Sequence, residues 1–165
     1  MASTPKGNLL KNSGFELGLA FWQVPPSTTG PGPGNVAAMS LYSHSGFASL
    51  AMGLQDSALI SSVYQDVPIS PGVRYGLTFS LAGLTHCPTS FSAEVRWLDE
   101  DGEDLGVALA IDVPQVGPAA EGEWTLHTGT TEEAPIGARR ARVSFHKGYL
   151  GSPVLLDDVS LVKVD

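Results

Sequence analysis

Three carboxylates stand out by their surroundings. Glu16 follows an aromatic in Asn8-Leu9-Leu10-Lys11-Asn12-Ser13-Gly14-Phe15-Glu16, and Asp157-Asp158 interrupt the otherwise apolar Val154-Leu155-Leu156-Asp157-Asp158-Val159-Ser160-Leu161. Desolvating an ionised acid costs several kcal/mol unless it is paired or metal-bound. A calcium ion, which takes roughly six to eight oxygen ligands, would compensate if the first and last segments met. Glu16, Asp157 and Asp158 are therefore metal-ligand candidates, completed by backbone carbonyls. An edge strand whose acids face water accounts for the same residues without a metal.

Catalytic constellations are missing. There is no Gly-x-Ser-x-Gly elbow, no Walker sequence and no His-Glu-x-x-His, and His44, His86, His127 and His146 are scattered without ligand spacing. Cys87 beside His86 suggests a thiolate–imidazole pair, but neighbours on an extended chain point to opposite faces. The run Asp99, Glu100, Asp101, Gly102, Glu103, Asp104 lacks EF-hand spacing, since its glycine comes fourth, and reads as a solvated hairpin tip. No acid is marked as buried in the way a glycosidase acid must be. The chain is expected not to be an enzyme.

The elements that would carry these residues are strands. Apolar residues never recur with helical spacing over three turns, whereas alternation with period two is frequent. Tyr75, Leu77, Phe79 and Leu81 share one face of a strand, and Phe91, Ala93, Val95 and Trp97 share one face of another. The second runs into Asp99-Glu100-Asp101-Gly102, whose Asp-Gly pair permits positive φ and predicts a hairpin returning over Glu103–Ile111. Further strands are predicted at 9–10, 22–24, 36–42, 48–53, 59–69, 124–130, 141–147 and 154–164. Loops are predicted at 25–35, with its Gly-Pro-Gly-Pro-Gly, and at 70–72, 117–122 and 134–137. About ten strands in one chain predict two stacked antiparallel sheets, an all-β sandwich over residues 1–165.

Length and charge agree with this reading. A chain of 165 residues makes one domain, and 42% hydrophobic content excludes wholesale disorder. No run approaches the roughly 18 apolar residues of a membrane-spanning helix. The net charge of −8 repels phosphate backbones and anionic headgroups, so neither nucleic acid nor membrane is an expected partner. The single cysteine cannot form an internal disulfide, and no apolar signal-peptide region is visible in residues 1–11.

Together with Trp22, Ser45-Gly46-Phe47-Ala48-Ser49-Leu50, Tyr64-Gln65-Asp66-Val67-Pro68-Ile69-Ser70-Pro71-Gly72 and Trp97-Leu98-Asp99, the two end segments resemble carbohydrate-binding modules of families four, nine and twenty-two. That resemblance implies a galactose-binding-like jelly-roll sandwich, with a structural calcium held by Glu16 and, at the terminal doublet, by Asp158. The segments from Tyr42 to Leu50, Ile111-Asp112-Val113-Pro114 and Gly129-Thr130-Thr131 further resemble N-terminal domains of spore-surface (exosporium) collagen-like proteins. This second resemblance implies a cell- or spore-surface, extracellular location reached without a visible signal peptide.

A sugar-binding sandwich needs a flat apolar platform with polar edges. Trp97 and Trp124 are in phase with core residues. Trp22, beside Phe21 and next to a Pro-rich loop, is the platform candidate, and Tyr149 in its Gly-flanked loop is another. On the outward phase lie Tyr64 with Asp66, Glu94 with Arg96, and Arg142 with Ser144 and His146; the sugar-binding candidates are thus Trp22, Tyr64, Arg96, His146 and Tyr149. The expected function is binding of carbohydrate or a surface component. The alternative is a structural, self-assembling domain of a spore or cell-surface layer, with a surface-layer protein or further copies of the chain as partner.

Overall fold

The computed structural model describes residues 6–25, 35–54, 60–85, 88–148 and 151–164. Tyr149, the His86–Cys87 pair, Leu59 and the Gly-Pro run at 30–34 lie outside them. Nine strands are present among the described residues: β1 (Val36–Met39), β2 (Ser49–Met52), β3 (Ser61–Pro68), β4 (Arg74–Gly83), β5 (Pro88–Leu98), β6 (Asp104–Gln115), β7 (Thr125–Thr130), β8 (Arg140–Lys147) and β9 (Val154–Val164). They form a five-stranded sheet ordered β1-β2-β9-β4-β7 and a four-stranded sheet ordered β3-β8-β5-β6, with every pairing antiparallel. The predicted all-β sandwich is the observed fold.

Alternation decides which side chains enter the core. In β3, Val63, Gln65 and Val67 are buried while Ser62, Tyr64 and Asp66 are half-exposed. Phe91, Ala93, Val95 and Trp97 of β5 face Leu77, Phe79 and Leu81 of β4 across the sandwich, within one continuous core. Phe145 of β8 sits at its centre, its ring 5.2 Å from Phe79 in an edge-on arrangement and 6.2 Å from Phe91. Each such fully buried side chain stabilises the fold by roughly 1.5–3 kcal/mol relative to exposure. The β5–β6 hairpin closes as predicted: Asp99 Oδ1 accepts the N–H groups of Asp101 at 3.0 Å and Glu103 at 2.9 Å, and Gly102 supplies φ of +89°.

Three predicted strands differ. Residues 9–10 are not a strand; the Leu9 N–H donates to the Leu161 carbonyl at 2.9 Å, and Asn8 Oδ1 accepts from the Leu161 N–H at the same distance. Around Trp22 only Gln23 pairs, in an isolated bridge with Tyr64. The strand expected over 36–42 stops at Met39, where the chain turns into a loop reaching β2.

The terminal strand β9 lies between β2 and β4, so the reading of its acids as water-facing edge residues is overturned. Its register against β4 shifts between Thr78 and Ser80, where β9 inserts an extra residue and Asp158 adopts φ of +48°. Such a bulge redirects side chains. Residues adjacent in a regular strand would point apart, whereas Asp157 and Asp158 both reach the loop at 43–48.

The two outer faces of the sandwich differ. On the five-stranded sheet Ala51, Ala82 and Leu155 form a second small core with Ala119, around which Met39, Tyr42, Leu84 and Trp124 pack. On the four-stranded sheet the outward side chains remain partly solvent-accessible, and no apolar cluster covers them among the described residues.

Candidate functional site

The open face is laid out by strand register. One rung runs Tyr64, Ser144, Glu94, Ala110 across β3, β8, β5 and β6. On one side of it runs Ser62, His146, Ser92, Asp112, and on the other Asp66, Arg142, Arg96, Val107. Of the predicted sugar-binding residues, Tyr64, Arg96 and His146 are therefore brought onto a single surface.

These side chains are fixed by one another. Arg142 donates from Nε to Asp66 Oδ1 at 2.7 Å and from Nη2 to Oδ2 at 2.8 Å, while its guanidinium lies over the Tyr64 ring, 4.2 Å from the centroid. Arg96 donates from Nε to Asp104 Oδ2 at 2.9 Å and from Nη1 to Glu94 Oε1 at 3.1 Å. The bonds to Asp104 and then Glu94 raise the Arg96 pKa, and Arg96 in turn holds the Asp104 carboxyl below its usual value. Burial lowers the pKa of His146, whose Nδ1 lies 2.8 Å from Ser62 Oγ. The face thus presents a neutral imidazole, two guanidinium forks and hydroxyls in fixed positions, an array suited to polyhydroxylated ligands.

Trp22 does not belong to this face. It is only 4% exposed, its ring centroid is 5.3 Å from Phe15 and 6.2 Å from Phe145, and its Nε1–H donates to the Asn12 carbonyl at 3.1 Å. The platform expectation fails because the segment before Gln23 is a loop, in which Phe21 has φ of +72° and strand alternation does not set direction. Asp104, read as part of a solvated tip, and the Asp66–Arg142 pair were not singled out. Their alternating phase placed Asp66 and Arg142 outward, but only register shows that they meet.

The carboxylate cluster is the other assembled feature. The N–H of Phe47 donates to Glu16 Oε1 at 2.9 Å, and the N–H groups of His44 and Ser45 donate to Asp157 Oδ2 at 2.8 and 3.1 Å. Ser45 Oγ donates to Asp158 Oδ1 at 2.6 Å, and His44 Nδ1 lies 2.7 Å from Asp158 Oδ2. Burial pushes the Asp157 pKa up to about 6 against these opposing hydrogen bonds. Gly46, at φ of +64°, leaves room for the Glu16 carboxylate where a Cβ would collide with it. A Cβ on Gly14 would lie 3.6 Å from Asp157 Oδ1, 3.9 Å from Asp158 Oδ1 and 3.9 Å from the Glu16 Cγ methylene, so the two aspartates meet beside Gly14 while the Glu16 carboxylate is turned to the backbone of Phe47 and Ala48. No group of three or more His, Cys, Asp or Glu residues is placed to hold a metal among the described residues, so Glu16, Asp157 and Asp158 do not form a ready-made metal cage.

The chain matches no family model and no curated protein. Its fold is similar to solved structures of carbohydrate-binding modules. A family 16 module superposes with a TM-score of 0.70 at 17% identity, covering 94% of this chain and 99% of that one. A family 61 module solved with β-1,4-galactotriose gives 0.67 at 22%, covering 95% and 99%. The enzymatically active domain of bacteriophage CBA120 tailspike protein 4 gives 0.75 at 17% and covers 95% of this chain, which spans only 21% of that solved chain. Modules of families 4 and 22 are also similar, at TM-scores of 0.58 and 0.64. At these identities the likeness is one of fold.

Proposed function

We infer that this chain is a non-catalytic carbohydrate-binding domain whose ligand lies along the outer face of the four-stranded sheet. The observation that carries this reading is the rung system of Tyr64, Glu94, Arg96, Arg142 and His146, a pre-set hydrogen-bonding surface over which no apolar cluster lies among the described residues. Similarity to a family 61 module solved with β-1,4-galactotriose, and to part of a xylanase's CBM22-1–GH10 modules complexed with xylohexaose, supports it. Arg96 holds the Asp104 carboxyl low, the reverse of the raised acid that a glycosidase requires. Glycan-array binding followed by titration calorimetry tests the reading. Arg96→Ala and Tyr64→Ala should each weaken binding at least tenfold; a folded protein that binds no glycan refutes it.

A structural calcium ion held by Glu16, Asp157 and Asp158 belongs to the same proposal. Calcium would supply charge compensation for acids that the fold brings against the loop at 43–48. A ligand bound only by the folded state adds RT ln(1 + [L]/Kd) to stability. Melting temperature should therefore rise with added calcium and fall on chelation, and no change in either direction counts against the ion.

The resemblance to exosporium proteins supports placement at a cell or spore surface. A second reading, self-association in a surface layer, is favoured by one observation: β7 ends the five-stranded sheet with Leu126 67% exposed on it. A concentration-dependent mass in solution without glycan binding would establish that reading in place of the first.

A further inference from the structure

Phe21 combines three properties that a buried or incidental aromatic lacks. Its side chain is 53% exposed, and its backbone holds φ of +72°, a left-handed conformation uncommon for a bulky residue. The loop that presents it is fixed at several points. Asn12 Nδ2 donates to the carbonyls of Gly18 at 2.9 Å and Ala20 at 3.0 Å, Asn12 Oδ1 accepts from the Leu17 N–H at 3.0 Å, and Trp22 anchors the next position in the core. The loop therefore pays its ordering cost in advance, leaving an apolar ring displayed at a set position.

That position is the rim of the open face. Gln23 exchanges two backbone hydrogen bonds with Tyr64, at 2.8 and 2.9 Å, so it prolongs the Tyr64 rung beyond β3. Paired residues lie about 5 Å apart and two residues span at most about 7 Å, which puts the Phe21 Cα within about 12 Å of the Tyr64 Cα. A second tie comes through Lys11. Its backbone N–H donates to Oε1 of the buried, inward-facing Gln65 at 2.8 Å and its carbonyl accepts from Gln65 Nε2 at 3.0 Å, which fixes it at the margin of the sandwich on the core side of β3, while its ammonium lies over the Phe21 ring, 5.3 Å from the centroid. Phe21 thus lies beside the strand that carries Tyr64, with the Lys11 ammonium over one face of its ring.

We propose that Phe21 is a stacking platform for a pyranose ring, with Lys11 donating to the sugar's oxygens, and that it extends the binding face past β3 so that longer glycan chains gain contacts short ones miss. This rests on the reading of the four-stranded face as a glycan site. Tyr64 and Phe21 each carry a cationic group over one ring face, Arg142 and Lys11, so each offers a single face for stacking, and Phe21 adds a second such face to the one at the centre of the site.

The test uses the folded chain with xylotriose and xylohexaose, and with β-1,4-galacto-oligosaccharides of the same two lengths, measured by calorimetry. Phe21→Ala should weaken hexasaccharide binding about five- to tenfold and leave trisaccharide binding unchanged, whereas Tyr64→Ala weakens both. Lys11→Met should reproduce part of the hexasaccharide loss, and the exposed control Ile136→Ala should change neither. Loss at Tyr64→Ala with full hexasaccharide affinity in Phe21→Ala overturns the platform and spares the central site. No binding of either series by the unsubstituted chain overturns both.

Discussion

The outer face of the five-stranded sheet is apolar and covered around Ala51, Ala82 and Leu155, and that of the four-stranded sheet is, among the described residues, charged and open. Ala51, Ala82 and Leu155 on the first are sealed by Ala119, Tyr42 and Trp124. On the second, Asp66, Glu94 and Asp104 spend their charge on Arg142 and Arg96. The covered face contributes stability through area removed from water, while exposed ion pairs contribute little to stability but fix donors and acceptors in place. The difference separates what holds this protein together from what it offers to a ligand.

Substitutions should separate the faces in the same way. The largest effect is expected at the covered face, where Leu155→Ala should destabilise by about 2–5 kcal/mol in urea unfolding, with glycan affinity of the folded protein retained. Equal loss of affinity would show the faces to be coupled. On the open face Asp66→Asn, which breaks the bidentate pair with Arg142, should cost no more than about 1 kcal/mol of stability, because both partners are partly exposed. It should nevertheless weaken glycan binding several-fold; a larger stability loss would mean that the pair is structural.

A smaller effect concerns pH. Desolvation lowers the pKa of His127, stacked on Phe79, and of His146 on the open face. The unfolded chain therefore binds protons first as pH falls, so this stability contribution is present above the ordinary histidine value of 6.5 and is lost toward the lowered folded values. Asp157, raised to about 6, acts in the opposite sense in this window, because there the folded state binds the proton first, so the histidine contribution is read as a difference. His127→Gln should shift the change in urea midpoint from pH 7 to pH 5 toward greater stability at the acid end; an unchanged slope in the variant would assign it to other groups. The smallest effect is at the β7 edge, where Leu126→Lys should leave stability within about 0.5 kcal/mol while abolishing any concentration-dependent association.

Period-two alternation made β3, β4, β5 and β8 legible and placed Tyr64, Arg96, Arg142 and His146 outward. It could not supply register, and so could not show that Asp66 grips Arg142 or that Asp104 reaches back to Arg96. Alternation also misleads wherever the backbone leaves the β region, which is why Phe21 and Trp22 were exchanged. The run Val154-Leu155-Leu156 signals burial on both faces of β9, but not that Ala119 and Trp124 provide the second cover. The meeting of Glu16 with Asp157 and Asp158 was an expectation from desolvation cost. The bulge at Asp158, which turns both aspartates to one side, has no signature in residue type.

The hydrogen bonds joining Asn8 to Val159 and Leu161 span 151 and 153 positions of chain. During translation the segment around Asn8 must therefore remain undocked until β9 has emerged. A product terminated before β9 would lack not a peripheral strand but the one between β2 and β4, leaving two exposed sheet margins for proteases and chaperones to recognise.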